Sequence, residues 1–233
     1  MAIHAFEKQA LFGASASHLT QNQPTSRLTT LSIIPTPSMD TDLSPRAAEI
    51  AEHAKTLLAA GGYNGFSYAD ISDRVRIGKA SIHHHFPSKA ELVRTVVIQH
   101  RAQTQAGLAA LDRQLKDPRA RLDAYTGYWT ACIREATSPI CICAMLAAEL
   151  PSIPAEVADE VRAYFHALSA WLASVLEKGS STGQFHLQDT PIAEANTFMA
   201  TVHGAMLSAR ALGDPALFES ITQAAIRRLA PEK

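Results

Sequence analysis

The sequence predicts an all-α protein in which an N-terminal three-helix helix-turn-helix unit is followed by a larger helical part. Alanine is abundant and aromatic residues make up only 6% of the 233 residues, a composition that favours helix. Apolar residues recur at spacings of three and four through most of the chain, which is the period of one helix face. A cap residue followed by proline opens several of these segments, and no alternating strand pattern competes with them.

Composition narrows the class of protein without naming a partner. Hydrophobic residues make up 47% of the chain, which predicts a folded protein with a sizeable core. The formal net charge is −1, but residues 43–100 carry seven Lys/Arg against five Asp/Glu, whereas residues 101–233 carry twelve against fourteen. The mild cationic excess therefore lies in the N-terminal part, where it suits a polyanionic partner.

The sequence favours a cytoplasmic location. Its three cysteines are Cys132, Cys141 and Cys143, which do not form the pattern of a disulfide framework, so a reducing compartment is expected. No apolar run approaches the length of a membrane span, and the N-terminus lacks the charged start and apolar core of a signal peptide. We therefore expect no membrane partner.

Residues 1–42 differ from the rest of the chain. They are rich in Ser, Thr, Gln and Pro and have no sustained helical period, so a disordered tail is expected. Met39 precedes the first convincing helix, which leaves open that translation starts there.

The first two helices have clear start signals. Ser44-Pro45 opens the first, and Gly61-Gly62 ends it. Residues 67–70, Ser-Tyr-Ala-Asp, form a capping-box pattern in which the serine oxygen and the acid satisfy free N–H groups at a helix start. A short helix is therefore expected after Ser67.

A tight turn at residues 76–78 leads to a second short helix. This helix is expected from residue 79 to 84 or 85, because Pro87 stops it. Residues 88–91, Ser-Lys-Ala-Glu, repeat the capping-box pattern and open a long helix.

Five further helices are expected, most of them opened by a cap residue and a proline. They are expected from Asp117-Pro118 to about 136, from Cys141 to Leu150, from Pro154 to Gly179, from Thr190-Pro191 to about 212, and from Asp214-Pro215 to Leu229. Ser138-Pro139 is expected to separate the first two of these helices, and residues 179–184 are expected to form a loop.

Two short helices joined by a tight turn suggest a helix-turn-helix, whose second helix lies in the major groove of DNA and is held by the first. A buried seam between the two is expected at Ile71, Val75, Ile77 and Ile82. Small residues fit the crossing of the helices at Ala69 and Ala80. The side chains expected to face outward from the second helix are Lys79, Ser81, His83 and His84.

The segment FSYADISDRVRIGKASIHHHFPSKAELV resembles the DNA-binding segment of TetR-family transcriptional repressors. The residues that match the family pattern are Lys79, Ser81, Ile82, His85, Phe86, Ser88 and Lys89. The turn departs from it, with Arg76 where Gly is usual and Gly78 where Ser is usual, and His83 replaces the usual Tyr. The specific match covers about residues 45–100.

The resemblance implies contacts with a double-stranded DNA operator. The residues expected to make them are Ser67, Lys79, Ser81, His83, His84 and Lys89. Lys89 stands at a helix N-terminus suited to a phosphate, and His85 is expected to pack between this domain and the next helix. For each residue the alternative is an ordinary polar surface position.

The three adjacent histidines do not predict a metal site. Successive helical side chains point about 100° apart, so His83, His84 and His85 cannot converge on one ion. The Cys-x-Cys pair, without a further thiol pair, is also a poor metal site. No metal and no cofactor are expected.

The resemblance further implies that the C-terminal domain binds a small-molecule inducer and forms a homodimer through its last two helices. The residues expected to line the pocket are Tyr125, Trp129, Cys132, Cys141, Met145, Glu149, Phe165 and His203. Apolar stripes at helical spacing are often plain core, which is the alternative for each of them. Small residues near Gly204 suit a close helix–helix interface between two protomers.

The stretch SPICICAMLAAEL is similar to a segment of TetR-like repressors that control N-ethylmaleimide reductase, and of acrylate-responsive ones. In the former a cysteine matching Cys141 senses oxidants and electrophiles. Cys141 is expected near a helix start, and Cys143, about 200° around the helix, is expected to face elsewhere. The alternative is that both are small buried hydrophobes.

The sequence therefore predicts a disordered tail over 1–42, a DNA-binding domain over 43–100 and a ligand-binding and dimerisation domain over 101–233. The expected function is a ligand-responsive DNA-binding repressor released by an inducer. The alternatives are a thiol-based redox or electrophile sensor on the same scaffold and a helical interaction module that does not bind DNA. No enzyme is expected, because the chain has no Gly-rich phosphate loop, no nucleophile elbow and no His-Glu-x-x-His.

Overall fold

Nine α-helices and one short 3-10 helix make up the part of the chain described by the computed structural model, residues 43–138 and 140–231, and this part contains no strand. The expected tail over 1–42, with the question of a start at Met39, and the break assigned to Pro139 lie outside the described residues. The helices are α1 (Pro45–Gly61), α2 (Tyr68–Val75), α3 (Lys79–His85), α4 (Lys89–Gln114), α5 (Pro118–Arg134), α6 (Ile142–Ala148), α7 (Ala155–Ser181), α8 (Pro191–Leu212) and α9 (Pro215–Arg228), with the 3-10 helix at Leu150–Ser152. The all-α prediction is confirmed.

The start signals of the N-terminal helices act as the sequence predicts. Ser44 Oγ accepts a hydrogen bond from the Ala47 N–H at the start of α1. At α2 the capping box is complete, since Ser67 Oγ accepts from Ala69 N–H and the Asp70 carboxylate accepts from Ser67 N–H at 2.7 Å. At α4, Ser88 Oγ caps the Glu91 N–H.

The three cap-and-proline pairs also open helices at the predicted positions. Asp117, Thr190 and Asp214 each accept a backbone N–H of the first turn, and a proline occupies an early position each time. Proline lacks an N–H, so it loses nothing at a helix start and presets the backbone for the first turn.

The predicted bounds of two helices are wrong. α6 ends at Ala148 rather than Leu150, and Cys141 is its cap, with an extended backbone, rather than its first residue. α7 continues through the predicted stop at Gly179 to Ser181. Gly179 serves packing instead, because a Cβ there would lie 2.0 Å from the Phe185 ring.

Packing places α4 between the N-terminal and C-terminal parts. α1 packs on α2, α4 and α6, while α4 also packs on α7. α7 packs on α8, α8 on α9, and α9 on α5. The domain boundary expected between residues 100 and 101 thus falls inside α4, a helix shared by both parts. None of the described helices combines the length and apolarity required to cross a membrane.

Candidate DNA interface and C-terminal polar cluster

The short helix α3 is held by one buried face and exposes the opposite one. Ile82 is fully buried, together with Ile71 and Val75 of α2, and Ile77 packs against the same core. The seam is therefore located where the sequence predicts. The exposed side chains of α3 include the four expected to face outward, Lys79, Ser81, His83 and His84.

The prediction for the helix crossing is wrong at one of its two small residues. Ala69 is half-buried, but Ala80 is exposed. Ala80 lies two residues before Ile82, and two helical positions turn the side chain by about 200°. With Ile82 facing the core, Ala80 must face solvent.

Tyr68 fixes the end of α3 to α2. Its hydroxyl donates to the Phe86 carbonyl at 2.9 Å. Burial, then the charges of Glu91 and Tyr63, raise the pKa of Tyr68 to about 12, so the phenol stays protonated as a donor. The sequence motif marks Tyr68 only as a residue inside a capping box, because the partner carbonyl is 18 residues away.

His83 packs on the tyrosine that holds its helix. The two ring centroids lie 4.7 Å apart, and His83 Nδ1 lies 3.2 Å from the Pro87 carbonyl oxygen. The opposite ring nitrogen, Nε2, is the one available for a further contact. His84 and His85 meet edge to face at 5.5 Å, and His85 is half-buried.

Ser67 is exposed, but its hydroxyl is occupied within the protein. The oxygen accepts the Ala69 N–H and donates to Asp70 Oδ2 at 2.8 Å. This pair, together with the Ser67 backbone N–H, lowers the pKa of the Asp70 carboxyl. The DNA contact expected of Ser67 stays a prediction.

Lys89 departs from its expected position. Its ammonium does not stand free beside the N-terminus of α4, because it donates to the Phe66 carbonyl oxygen. It also lies over two aromatic rings, 4.3 Å from the centroid of Phe66 and 4.7 Å from that of Tyr63. Burial lowers the pKa of Lys89, against the opposing charges of Glu149 and Asp70. In this structure its role is to fasten α4 to the loop before α2.

Arg76 occupies the turn of the motif in the left-handed region, with φ 56° and ψ 44°. Glycine takes that conformation at little cost, whereas a residue with a Cβ is strained by about 1–2 kcal/mol. Ser72 compensates in part by donating to the Ile77 carbonyl at 2.6 Å. The signal for this strain is present in the sequence, as the departure of Arg76 from the glycine that the resemblance leads one to expect.

Glu149 does not face the expected pocket. Its carboxylate accepts the backbone N–H of Tyr63 at 2.6 Å and that of Asn64 at 3.3 Å, in the loop between α1 and α2. Gly62 allows this approach, since a Cβ there would lie 2.2 Å from Glu149 Oε2 and its φ is +72°. Glu149 thus connects the end of α6 to the helix-turn-helix unit.

Arg210 makes a second connection to the same part of α1. Its guanidinium, on α8, donates to the carbonyl oxygens of Ala59 at 3.1 Å and Ala60 at 2.7 Å. These carbonyls belong to the last turn of α1, which lacks intrahelical donors. Met145 Sδ lies 3.6 Å from the same guanidinium, so Met145 is located beside this contact.

Several of the other predicted pocket residues meet in a buried polar cluster around Cys141. Cys141 is fully buried, and its sulfur lies 3.4 Å from Tyr164 Oη and 3.7 Å from His100 Nε2. The rings of Phe165 and His203 meet edge to face at 5.1 Å. Tyr164 links the two groups, because its ring contacts His100 at 5.3 Å and Phe165 at 5.7 Å.

Two polar atoms near this cluster have no hydrogen-bond partner among the described residues. They are Tyr125 Oη and His203 Nε2, and both are buried. A buried polar atom without a partner costs roughly 1–3 kcal/mol, so these two atoms require an explanation beyond core packing. Trp129 and Cys132 are also buried, and their place in a ligand pocket stays a prediction.

The prediction that Cys143 faces away from Cys141 is wrong. One ligand atom from each of His100, Cys141 and Cys143 lies within 4.8 Å of the others. The rotation of about 200° holds only when both cysteines are helical, whereas Cys141 is the extended cap of α6. Sequence reasoning also missed His100, which lies on α4, 41 residues before Cys141.

The pKa values of the two cysteines in this cluster are shifted in opposite directions. Burial acts to raise the pKa of Cys141, but hydrogen bonds from Cys143 and His100 and the charge of His100 outweigh it, so this pKa is well below its ordinary value. Burial and the neighbouring Cys141 raise the pKa of Cys143 well above its ordinary value.

Two surface grooves lie away from the predicted pocket residues. One runs along α5 and α9, with Arg134 and Glu219 on its sides, and the other lies between α4 and α7 at Glu91 and Glu156. Neither is lined by any of the eight predicted ligand-binding residues. The buried cluster around Cys141 is therefore separate from both grooves.

Two protein-family models match the chain. Residues 50–96 match the model described as bacterial regulatory proteins, tetR family, and residues 118–225 match the one described as tetracyclin repressor-like, C-terminal domain. The first range contains α2, α3 and most of α1, and the second contains α5 to α8 and most of α9. No curated protein matches the chain.

Solved structures of similar chains include a TetR-family transcriptional regulator from Agrobacterium tumefaciens. It is 53% identical, covers 80% of this chain and 98% of its own, and superposes with a TM-score of 0.79. A TetR regulator from Legionella pneumophila is 24% identical over 81% of this chain and 100% of its own, with a TM-score of 0.70. The reduced form of NemR from E. coli is 19% identical over 80% and 97%, with a TM-score of 0.68, and this similarity concerns the fold alone.

Proposed function

The chain belongs to the TetR family of bacterial regulatory proteins, and from that premise we propose that it is a DNA-binding repressor released from its operator by a small ligand. The single observation that carries the proposal is the presentation of α3. One residue, Ile82, anchors this helix in the core, and the polar side chains on its other faces are exposed. A reading helix in the major groove has this arrangement.

The proposed DNA contacts divide into two kinds. Lys79 and His84 are exposed and can bind phosphate, whereas Ser81 in the first turn of α3 and His83 in its last turn are candidates for base edges. Ser67 contributes at the N-terminus of α2 if its hydroxyl turns from Asp70 to a phosphate. Lys89 is proposed to support this surface from inside, by holding α4 against the loop before α2.

A homodimer through α8 and α9 accompanies this function. The exposed large hydrophobic residues of the described chain are Ile192, Leu207 and Leu212, and all three lie on α8, at 49%, 50% and 73% exposure. Exposed large apolar residues confined to one helix favour an interaction surface on that helix. A two-fold dimer sets two reading helices roughly 34–36 Å apart, on successive major grooves.

The proposed inducer site is the cluster around Cys141, Tyr164 and His203. A ligand there supplies partners for the unpaired Tyr125 and His203 atoms and acts on α4, α6, α7 and α8, which meet at the cluster. A movement of α6 can reach the helix-turn-helix unit directly, because Glu149 follows this helix and accepts a hydrogen bond from Tyr63 in the loop before α2. Binding then favours the conformation in which the two reading helices no longer fit adjacent grooves.

The test is a gel shift with DNA from upstream of the protein's own gene, repeated over a salt series. We expect specific binding whose logarithm falls linearly with the logarithm of salt concentration. Lys79→Ala should reduce this slope by roughly one for each protomer bound. The matched control is Lys178→Ala, an exposed lysine on α7, which should leave the slope unchanged. Absence of any salt-dependent binding would instead favour the helical interaction module.

A second candidate function is thiol-based sensing, favoured by the contact of Cys141 with His100 and by its neighbour Cys143. It ranks second because Cys141 is fully buried, whereas a reactive thiol has to be reached by its reagent. Peroxide or an electrophilic alkene should then release wild-type protein from DNA but not Cys141→Ser. Equal release of both proteins would reject this function and leave the reversible ligand.

A further inference from the structure

Three side chains of the buried cluster converge in a way that an ordinary core does not require. Cys141 and Cys143 are both fully buried, and His100 reaches them from α4, so that one sulfur or nitrogen of each lies within 4.8 Å of the others. His203, at 8% exposure, lies beside Cys141 with Nε2 lacking a partner among the described residues.

We propose that this cluster is a binding site for a thiophilic divalent metal ion, Zn²⁺, with Cys141, Cys143 and His100 as ligands and His203 next to the fourth position.

The donor set selects this class of ion. Thiolate sulfur and imidazole nitrogen are the ligands of zinc in proteins, whereas Mg²⁺ and Ca²⁺ prefer oxygen. Two thiolates also neutralise the double charge of the ion, which a buried site requires. Binding needs no oxidant or reductant, because the only bonds broken are those to protons, which leave for solvent as the thiols bind the ion.

The distances suit zinc after a small adjustment. Zinc–sulfur and zinc–nitrogen bonds of about 2.3 and 2.0 Å in a tetrahedron separate a sulfur from a nitrogen ligand by about 3.5 Å. Cys141 Sγ and His100 Nε2 already lie 3.7 Å apart. The remaining pairs, within 4.8 Å, close by at most about 1.3 Å around an ion. The half-buried His100 offers the way in from solvent.

Because of where the site lies, binding of the ion should also alter DNA binding. This second step rests on the proposed function. His100 belongs to α4, which begins directly after the reading helix and its turn, and the two cysteines belong to the start of α6. Closure of the ligands around an ion draws α4 and α6 together. Glu149 at the other end of α6 then moves the loop of Tyr63 relative to α4.

Metal binding is tested on the full chain, without DNA, using Co²⁺ as a spectroscopic probe and Zn²⁺ as competitor. Wild-type protein should bind one Co²⁺ per protomer with a thiolate-to-metal charge-transfer band that Zn²⁺ removes. Cys143→Ser and His100→Gln should weaken binding by about 100-fold or more, since loss of even an outer partner of a metal ligand costs about 10–100-fold.

The matched control is Cys132→Ser, which removes a buried thiol outside the cluster and should keep both the band and the affinity. To separate misfolding from loss of a ligand, Zn²⁺ should raise the melting temperature of wild type and Cys132→Ser but not of Cys143→Ser. A wild type without the band, or a Cys143→Ser that binds as well as Cys132→Ser, would overturn the site.

The regulatory step is tested separately in the gel shift. Zn²⁺ at saturation should lower operator affinity by about tenfold or more in wild type and not in Cys143→Ser, since allosteric couplings typically lie between about 5- and 150-fold. Metal binding with unchanged operator affinity would overturn the regulatory step alone. Failure of the metal-free protein to bind any DNA would overturn the proposed function and leave the metal site standing.

Discussion

Glu149 accepts a hydrogen bond from the backbone N–H of Tyr63 at 2.6 Å, across 86 residues of sequence. The same carboxylate reaches the N–H of Asn64, while Arg210 holds the carbonyl oxygens of Ala59 and Ala60 just before them. Glu149 therefore accepts from the backbone N–H groups just after Gly62, and Arg210 donates to the backbone carbonyl oxygens just before it. The end of α1 is the point where the helix-turn-helix unit is attached to α6 and α8.

Glu149→Gln should lower the free energy of unfolding by about 1–2 kcal/mol, because two hydrogen bonds to a charged acceptor become bonds to a neutral one. Urea unfolding of the metal-free protein measures this loss. The matched control is Asp159→Asn, which removes one charge from the exposed pair with Arg162 and should change stability by no more than about 0.5 kcal/mol. Equal effects of the two variants would contradict the assigned role of Glu149.

Gly62→Ala tests the same contact from the other side. An added Cβ would lie 2.2 Å from Glu149 Oε2 and would also strain a φ of +72°. We expect a loss of at least about 1–2 kcal/mol in unfolding free energy. In the background of Glu149→Ala the steric clash disappears. The loss of unfolding free energy in the double variant should therefore be smaller than the sum of the losses in the two single variants. Strict additivity would mean that the two residues do not interact.

Arg76→Gly should stabilise the protein. Relief of the left-handed conformation at φ 56° exceeds the entropy that glycine adds to the unfolded chain, with a net gain of about 0.5–1 kcal/mol. Arg74→Gly is the matched control, because it removes the same charge from inside α2 and should cost about 1 kcal/mol. Thermal melting of both variants compares them, and a lower melting temperature for Arg76→Gly would contradict the strain.

The contacts that sequence could predict are those between near neighbours. Ser67 and Asp70 are three residues apart, so their capping box follows from residue type and spacing, and the same holds for Ser88 and the cap-and-proline pairs. Helix periodicity also located the seam at Ile82. The exposed face of α3 followed from that seam, because burial of one side fixes the direction of the others.

The contacts that sequence could not predict depend on tertiary packing or on one backbone dihedral. Glu149 was expected in a pocket because it continues the spacing of Cys141 and Met145, but α6 ends before it and the carboxylate turns to Tyr63. His100 reaches Cys141 only because α4 packs near α6 and α7. Cys143 lies on the same side as Cys141 because Cys141 has an extended backbone, and the sequence does not reveal that single dihedral.

Lys89→Ala should lower stability without changing the salt dependence of DNA binding. It removes the hydrogen bond to Phe66 and the contact with the Tyr63 ring, which together are expected to contribute about 1–2 kcal/mol. Lys79→Ala should do the reverse, leaving stability unchanged and lowering the salt slope by roughly one for each protomer. A reduced slope for Lys89→Ala would show that its ammonium leaves Phe66 for a phosphate.

Tyr68 predicts a loss of stability at high pH. Its pKa is raised to about 12, above the ordinary value of 10.0, so the folded state binds this proton more tightly than the unfolded state. The resulting stabilisation is complete below pH 10 and is lost as the pH rises towards about 12. Tyr68→Phe should unfold more easily at pH 8 by about 0.5–1.5 kcal/mol, because the bond to Phe86 is gone. Its stability should fall less steeply between pH 10 and 12 than that of wild type, and parallel curves would contradict the shift.

Leu207→Glu should dissociate the proposed dimer. Leu207 is half-exposed on α8, and a carboxylate there would be buried without a partner in a two-fold interface, where its twin brings a second negative charge. Light scattering after size exclusion should give the mass of a protomer for this variant and twice that mass for wild type. Gln105→Glu, on an exposed face of α4, carries the same charge change and should remain a dimer. Operator affinity should fall with the dimer, because a single reading helix loses the second half-site. A Leu207→Glu protein that keeps the double mass would place the interface elsewhere on the surface.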